Sequence, residues 1–235
     1  MKEKVTREGG IRSRLENFIY HYKWHTVVAL FVVAAIVICS VQMCSREKFD
    51  NYVLYAGGHG ISRAGDGDVP EYNLCLSSFG RITEDLDGNG TKNPSFLDLY
   101  IPSPDEMKES GSDLYSLTAE NVKRLEYELV SGTDYFLCLL SPYNYEQYVE
   151  WDGVPIFTPI GGYIPEGASV ETVGEYAIKL SSLPFYGLDG IRELPEDTLV
   201  CLRRLNSFAE HFDGKNRESF ERGEAMLRRM LAYGL

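Results

Sequence analysis

The chain has 235 residues, with 23 basic and 35 acidic side chains and a formal net charge of −12. An excess of acid on this scale excludes a nucleic-acid partner, which needs a basic face to displace counterions from phosphate. Of the five cysteines only Cys75, Cys138 and Cys201 follow residue 45, an odd count that does not suggest a disulfide framework.

The first element is a helix across the membrane. Trp24 to Ser45 contains no Lys, Arg, Asp or Glu, and Thr26 to Val41 is almost wholly apolar. A helix of that length rises about 33 Å, enough to cross a hydrocarbon core of about 30 Å. Lys2, Lys4, Arg7, Arg12, Arg14 and Lys23 precede it with only three Glu, so the positive-inside rule puts residues 1–23 in the cytoplasm and residues 46–235 outside. Tyr20, His21, Tyr22, Trp24 and His25 crowd the cytoplasmic entry, where amphipathic rings favour the headgroup layer. A cleaved signal peptide shares the basic-then-apolar order, but no A-x-A-like site follows this core. A lipid-modified cysteine fits less well, because Ile38 and Met43 precede Cys39 and Cys44 where a small residue is wanted.

The segment after the anchor is long enough for one domain with a sizeable core. Tyr52 to Ala56 reads as a strand ended by Gly57-Gly58-His59-Gly60. Asp68 caps a predicted helix with Pro70 in its first turn and Tyr72, Cys75, Phe79 and Ile82 at helical spacing. Phe96 to Ile101 reads as a second strand. A polar connection then leads to Thr118, which caps a helix carrying Val122, Leu125 and Leu129 and closed by Gly132. Tyr135 to Leu140 is apolar at every position, as in a strand buried on both faces. Pro142 starts a further helix with Tyr145 and Tyr148 on one side, and Gly and Pro punctuate short strands and loops to about Ala177. Thr198 to Leu202 is a second fully apolar run. Asn216 caps a last helix bearing Phe220, Leu227 and Leu231, with Glu218 and Glu221 early and Arg228 and Arg229 late, as its dipole favours. Strands alternating with helices predict an α/β domain on a mixed sheet.

Two stretches carry a resemblance. SGTDYFLCLLSPYNYEQYVEWDGVPIFTPI, residues 131–160, resembles the part of extracytoplasmic solute-binding proteins (the type 2 periplasmic-binding fold) in which a helix ends at Gly and an Asp leads an apolar strand. Asp134, Tyr135 to Leu140, Gly153 and Pro159-Ile160 occupy those places, and GKNRESFERGEAMLRRML resembles that family's late helix. The resemblance implies one exposed α/β lobe, a shortened form of a two-lobed binder. The chain as a whole is similar to envelope proteins of Gram-positive anaerobes in which a Tyr- and Trp-flanked anchor precedes such a domain.

Asp85, Asp87 and Asn89 stand at the D-x-D-x-N-G spacing of a calcium loop, in which side-chain oxygens at positions 1, 3 and 5 converge and a following Gly makes the turn. Thr91 supplies a carbonyl, Asn93 acts directly or through water, and Asp98 completes the set, because Phe96 stands where an EF-hand places its bidentate Glu. The competing reading is a solvated turn rich in Asp, Asn and Gly. His59, Ser62 and Arg63 in the first loop are ligand candidates, since loops at the ligand edge of such a sheet face the crevice. Tyr143, Tyr145, Tyr148 and Trp151 form an aromatic cluster suited to a sugar or an apolar partner, or to packing on the sheet. No G-x-S-x-G or H-E-x-x-H is present, and residues 46–235 hold only His59 and His211. The expected function is therefore non-enzymatic recognition of a small molecule or protein at the cell envelope. A carboxylate-based envelope hydrolase and a membrane scaffold are the alternatives.

Overall fold

The computed structural model describes residues 11–44, 49–61, 71–86, 88–110, 115–205 and 214–234. The chain divides into two compact units, Met1–Lys48 and Phe49–Leu235. The first contains one helix, α1 (Ile11–Cys44), which begins well before the apolar run and continues through it. Every large apolar side chain described from Val27 to Ile38 is exposed, between 48% and 73%. Among the described residues no helix is both long and apolar enough to cross a membrane.

The second unit is built on a six-stranded mixed sheet. Its strands are β1 (Asn51–Gly57), β2 (Pro94–Tyr100), β3 (Leu137–Leu140), β6 (Thr172–Val173), β7 (Ala177–Lys179) and β8 (Leu199–Leu202), in the order β2-β1-β3-β8-β7-β6. β1 runs parallel to β2 and to β3, whereas β8, β7 and β6 add antiparallel pairings. β4 (Glu150–Trp151) and β5 (Val154–Pro155) form a separate hairpin. The predicted α/β class and mixed sheet are thus observed.

The apolar runs explain the layers. β3 and β8 are buried at every position, and their side chains alternate between two cores. Leu137 and Leu139 join Val53, Phe79, Met226 and Met230 on one face, while Cys138 and Leu140 join Leu54, Leu125, Tyr145 and Phe157 on the other. α2 (Glu71–Ile82) and α6 (Gly214–Leu231) supply the first core; α4 (Tyr115–Val130) and α5 (Pro142–Tyr148) supply the second. Thr118 and Asn216 lie within their helices, three and two residues after the first residues Tyr115 and Gly214, rather than capping them. The polar connection after β2 holds a short helix, α3 (Pro104–Ser110), with Pro at its start and Asp105 and Glu106 in its first turn. Asp68 and Pro70 lie outside the described residues.

One buried cation ties the end of α4 to the end of β8. Arg203, 4% exposed, donates to the carbonyls of Glu128 and Gly132 (the latter at 2.6 Å), and its guanidinium lies 4.1 Å from the centre of the Phe136 ring. It thereby satisfies an orphan carbonyl in the last turn of α4 and that of Gly132 just beyond it, from a position 75 and 71 residues away in sequence and next to the end of β8. A Cβ at position 132 would meet the Glu128 backbone at 2.7 Å, which is why glycine closes this helix.

Candidate functional site

The parallel strands create an edge suited to ligands. β1 is joined to β2 through α2 on one face of the sheet, and β2 to β3 through α4 on the other. Connections that depart to opposite faces leave a crevice outside the carboxyl ends of the strands at the reversal point. Three turns meet there: Gly57-Gly58-His59 after β1, Ser103 at the head of α3, and Ser141 at the head of α5.

Asn144 holds the three strand ends at fixed spacing. Its side-chain amide is fully buried and donates to Ala56 O at 3.3 Å, Ile101 O at 3.0 Å and Ser141 Oγ at 3.0 Å. Ser141 caps α5 by accepting from the Asn144 amide at 3.3 Å. Ser103 and Glu106 close a reciprocal cap on α3: the Ser103 N–H donates to Glu106 Oε2 at 2.6 Å and the Glu106 N–H to Ser103 Oγ at 3.4 Å. The Glu106 carboxylate rests over Gly58, where an added Cβ would stand 2.5 Å from it.

Between these turns and the α4 face lies a cavity of about 460 Å³, lined by Ile101, Pro102, Pro104, Met107, Lys108, Thr118, Val122, Tyr143, Asn144, Gln147 and Tyr148. Its size and its mostly apolar walls with a few polar groups match small-molecule sites in general. The Thr118 hydroxyl is buried without a hydrogen-bond partner. Lys108 is engaged with Asp105 at 2.7 Å.

On the other face of the sheet, under Gly57, the Tyr55 hydroxyl is buried without a partner. Burial pushes its pKa up; the nearby His59 N–H offsets part of that, and Asp98, Glu106 and Asp197 add to it. Any Cβ at Gly57 would stand 2.4 Å from that hydroxyl, so glycine is required. His59 pairs with Glu71 at 3.3 Å, both half-buried. Ser62 and Arg63 lie outside the described residues, as do His211 and Asp87.

The oxygen-rich turn lies at the opposite end of the strands, where β1 and β2 begin. Asp85 accepts from the N–H groups of Asn89 at 3.2 Å and Gly90 at 2.8 Å, and Asn89 Oδ1 accepts from the Thr91 N–H at 2.7 Å and the Thr91 hydroxyl. Gly88 and Gly90 adopt φ of 69° and 81°, which a turn of this shape demands. Asn93 is held instead by Asp50: the two Asp50 oxygens accept from Leu86 N–H at 2.9 Å and Asn93 N–H at 2.8 Å. Asp50 itself is buried, and its N–H donates to the Asn93 carbonyl at 2.9 Å. Asp98 is in register with Tyr55 within β2, four residues beyond Pro94, or roughly 13 Å along the strand. Among the described residues no three His, Cys, Asp or Glu side chains converge as a metal site. Asp50 was not legible as part of this turn, because its sequence separation leaves no local signal.

The aromatic cluster is divided. Tyr145 and Tyr148 are buried, stacked on Phe157 and Trp151 at 6.0 and 6.4 Å, while Tyr143 reaches the cavity. Burial pushes the Cys75 and Cys138 thiols up to about 12, and the Cys201 thiol likewise upward. Such thiols stay protonated and are inert as nucleophiles at neutral pH. Comparison with known protein families, with curated proteins and with solved structures finds no match to this chain.

Proposed function

We propose that the chain is a single-pass, membrane-anchored protein whose acidic α/β domain lies outside the cell and recognises a small molecule or protein there without chemistry of its own. The observation that carries this reading is α1. Its large apolar side chains from Val27 to Ile38 are spread around the helix and all are exposed. A helix that is apolar all round needs a nonaqueous surrounding on every side, which a single protein groove does not offer and a bilayer does. Fully burying each such side chain is worth about 1.5–3 kcal/mol. The basic residues before Trp24 set the orientation.

The recognition part rests on the crevice at the carboxyl ends of β1, β2 and β3 and the cavity beside it. Reversal of the strand order at β1 supports the reading as one lobe related to the type 2 periplasmic-binding fold. A calcium role at Asp85–Asn93 is a narrower proposal. It requires Asp85 to give up two amide hydrogen bonds, and calcium then raises the melting temperature of fragment 46–235 while EDTA lowers it.

The test is fractionation of cells expressing the full chain, followed by protease treatment of intact cells. The protein stays in the membrane pellet through alkaline carbonate, and external protease removes the C-terminal domain. Release by carbonate, or a domain fully protected in intact cells, overturns the reading.

A further inference from the structure

The last turn of α4 lines a second cavity, of about 330 Å³, which shares no lining residue with the cavity beside α3. Its apolar walls are Leu129 and Val130 from α4, Trp151 and Val154 from the β4–β5 hairpin, and Ile156 just after β5, and Arg204 is its cation.

These walls are held by the backbone. The Asp152-Gly153 turn, with φ of 51° and 74°, is the left-handed pair of a tight hairpin and sets Trp151 directly across from Val154. The Tyr148 ring lies nearly parallel to the indole, at 13° between planes and 6.4 Å between centres. The Ile156 N–H donates to the Val149 carbonyl at 3.1 Å, and the Arg204 N–H to the Ile156 carbonyl at 2.7 Å. Phe157 and Arg203 form a β-bridge between those two contacts. The cavity is therefore formed before any ligand arrives.

Two side-chain features single it out. Trp151 and Val154 keep 39% and 55% of their surface exposed within a lining of other apolar groups. Elsewhere in the domain Arg124, Arg192, Arg222, Arg228 and Arg229 each pair with a carboxylate. The exposed Arg204 guanidinium, by contrast, makes no hydrogen bond or ion pair among the described residues. An unpaired guanidinium presents a planar fork of N–H donors that matches a carboxylate, and the walls beside it take an apolar body. The indole favours an aromatic one, through offset or edge contacts. A volume near the lower end of the range for small-molecule sites limits that body to a small ring system. Asp152 on the lining and Glu150 beside Trp151 are both exposed and repel additional negative charge, which disfavours dicarboxylates and phosphates.

We propose that this cavity is a second small-molecule site, separate from the recognition cavity beside α3, and that it takes a flat aromatic monocarboxylate with its ring against Trp151 and its carboxylate on Arg204. The probe is para-trifluoromethylbenzoate, followed by fluorine NMR with the full-length chain in phosphatidylcholine nanodiscs and empty nanodiscs as the blank. Its resonance broadens saturably as protein is added, and para-trifluoromethylbenzamide, the same shape without the charge, binds about tenfold more weakly. Arg204→Gln brings the acid down to the level of the amide with the melting temperature unchanged, because that side chain is exposed. Trp151→Ala weakens acid and amide alike, and Lys108→Gln, at the other cavity, alters neither. Equal binding of acid and amide, or Arg204→Gln without effect, overturns the carboxylate assignment. Loss with Lys108→Gln instead puts the probe beside α3 and overturns the second site, as does the absence of saturable broadening at millimolar probe.

Discussion

Replacing Arg203 with alanine tests how the two halves of the domain core are joined. The guanidinium is buried, makes two hydrogen bonds to carbonyls at the end of α4 and lies on the Phe136 ring. Hydrogen bonds that involve a charged group contribute about 1.5–3 kcal/mol each, and a desolvated cation–π contact about 2 kcal/mol. Against these stands the cost of burying the charge, which also lowers the Arg203 pKa. Removing one member of such a buried set costs about 3–5 kcal/mol, since the carbonyls of Glu128 and Gly132 are left without donors and the buried Glu128 carboxylate, paired with Arg124, loses a second nearby positive charge. In a domain of this size that lowers the melting temperature by about 6–20 °C. The assay is urea unfolding of fragment 46–235 followed by tyrosine and tryptophan emission, with Arg203→Met and Arg203→Lys beside the alanine variant. Methionine fills the volume without burying a charge, so its loss is smaller than that of alanine. Lysine keeps the charge but reaches one carbonyl, not two, and falls between methionine and wild type. A cost below about 1 kcal/mol for Arg203→Ala refutes the assignment of Arg203 as the tie between α4 and β8.

Three further outcomes follow from the same structure. Asp50→Ala leaves the amides of Leu86 and Asn93 without their acceptor and costs about 2–3 kcal/mol in urea unfolding, whereas Asp85→Ala, in an exposed turn, costs about 1 kcal/mol or less. Gly190 has φ of 77°, and a Cβ there would stand 2.4 Å from the Cys75 backbone nitrogen, so Gly190→Ala loses more than about 3 kcal/mol, read as a fall in melting temperature or as insoluble expression. The thiols of Cys75, Cys138 and Cys201 have native pKa values raised by burial above those of the unfolded chain, to about 12 for Cys75 and Cys138, so the stability they contribute is complete below about pH 9 and is lost as pH rises above it. The urea midpoint of fragment 46–235 therefore declines from pH 8 to pH 10, and iodoacetamide labels these thiols at pH 8 only when the domain is unfolded.

The residues by themselves determined every feature that depends on local pattern. The fully apolar runs that became β3 and β8 and the amphipathic stripes of α2, α4 and α6 were legible because burial on one face or on both leaves its period in the chain. The oxygen-rich turn was legible as a turn for the same reason, since Asp, Asn and Gly close it locally. Tertiary structure alone decided what distant segments do to one another. It placed Asp50 across the ends of that turn, set Asn144 over three strand ends, and sent Arg203 to the end of α4. No periodicity records such meetings, because each is fixed by the order and direction in which strands pair, and that is an outcome of packing the two apolar faces of one sheet.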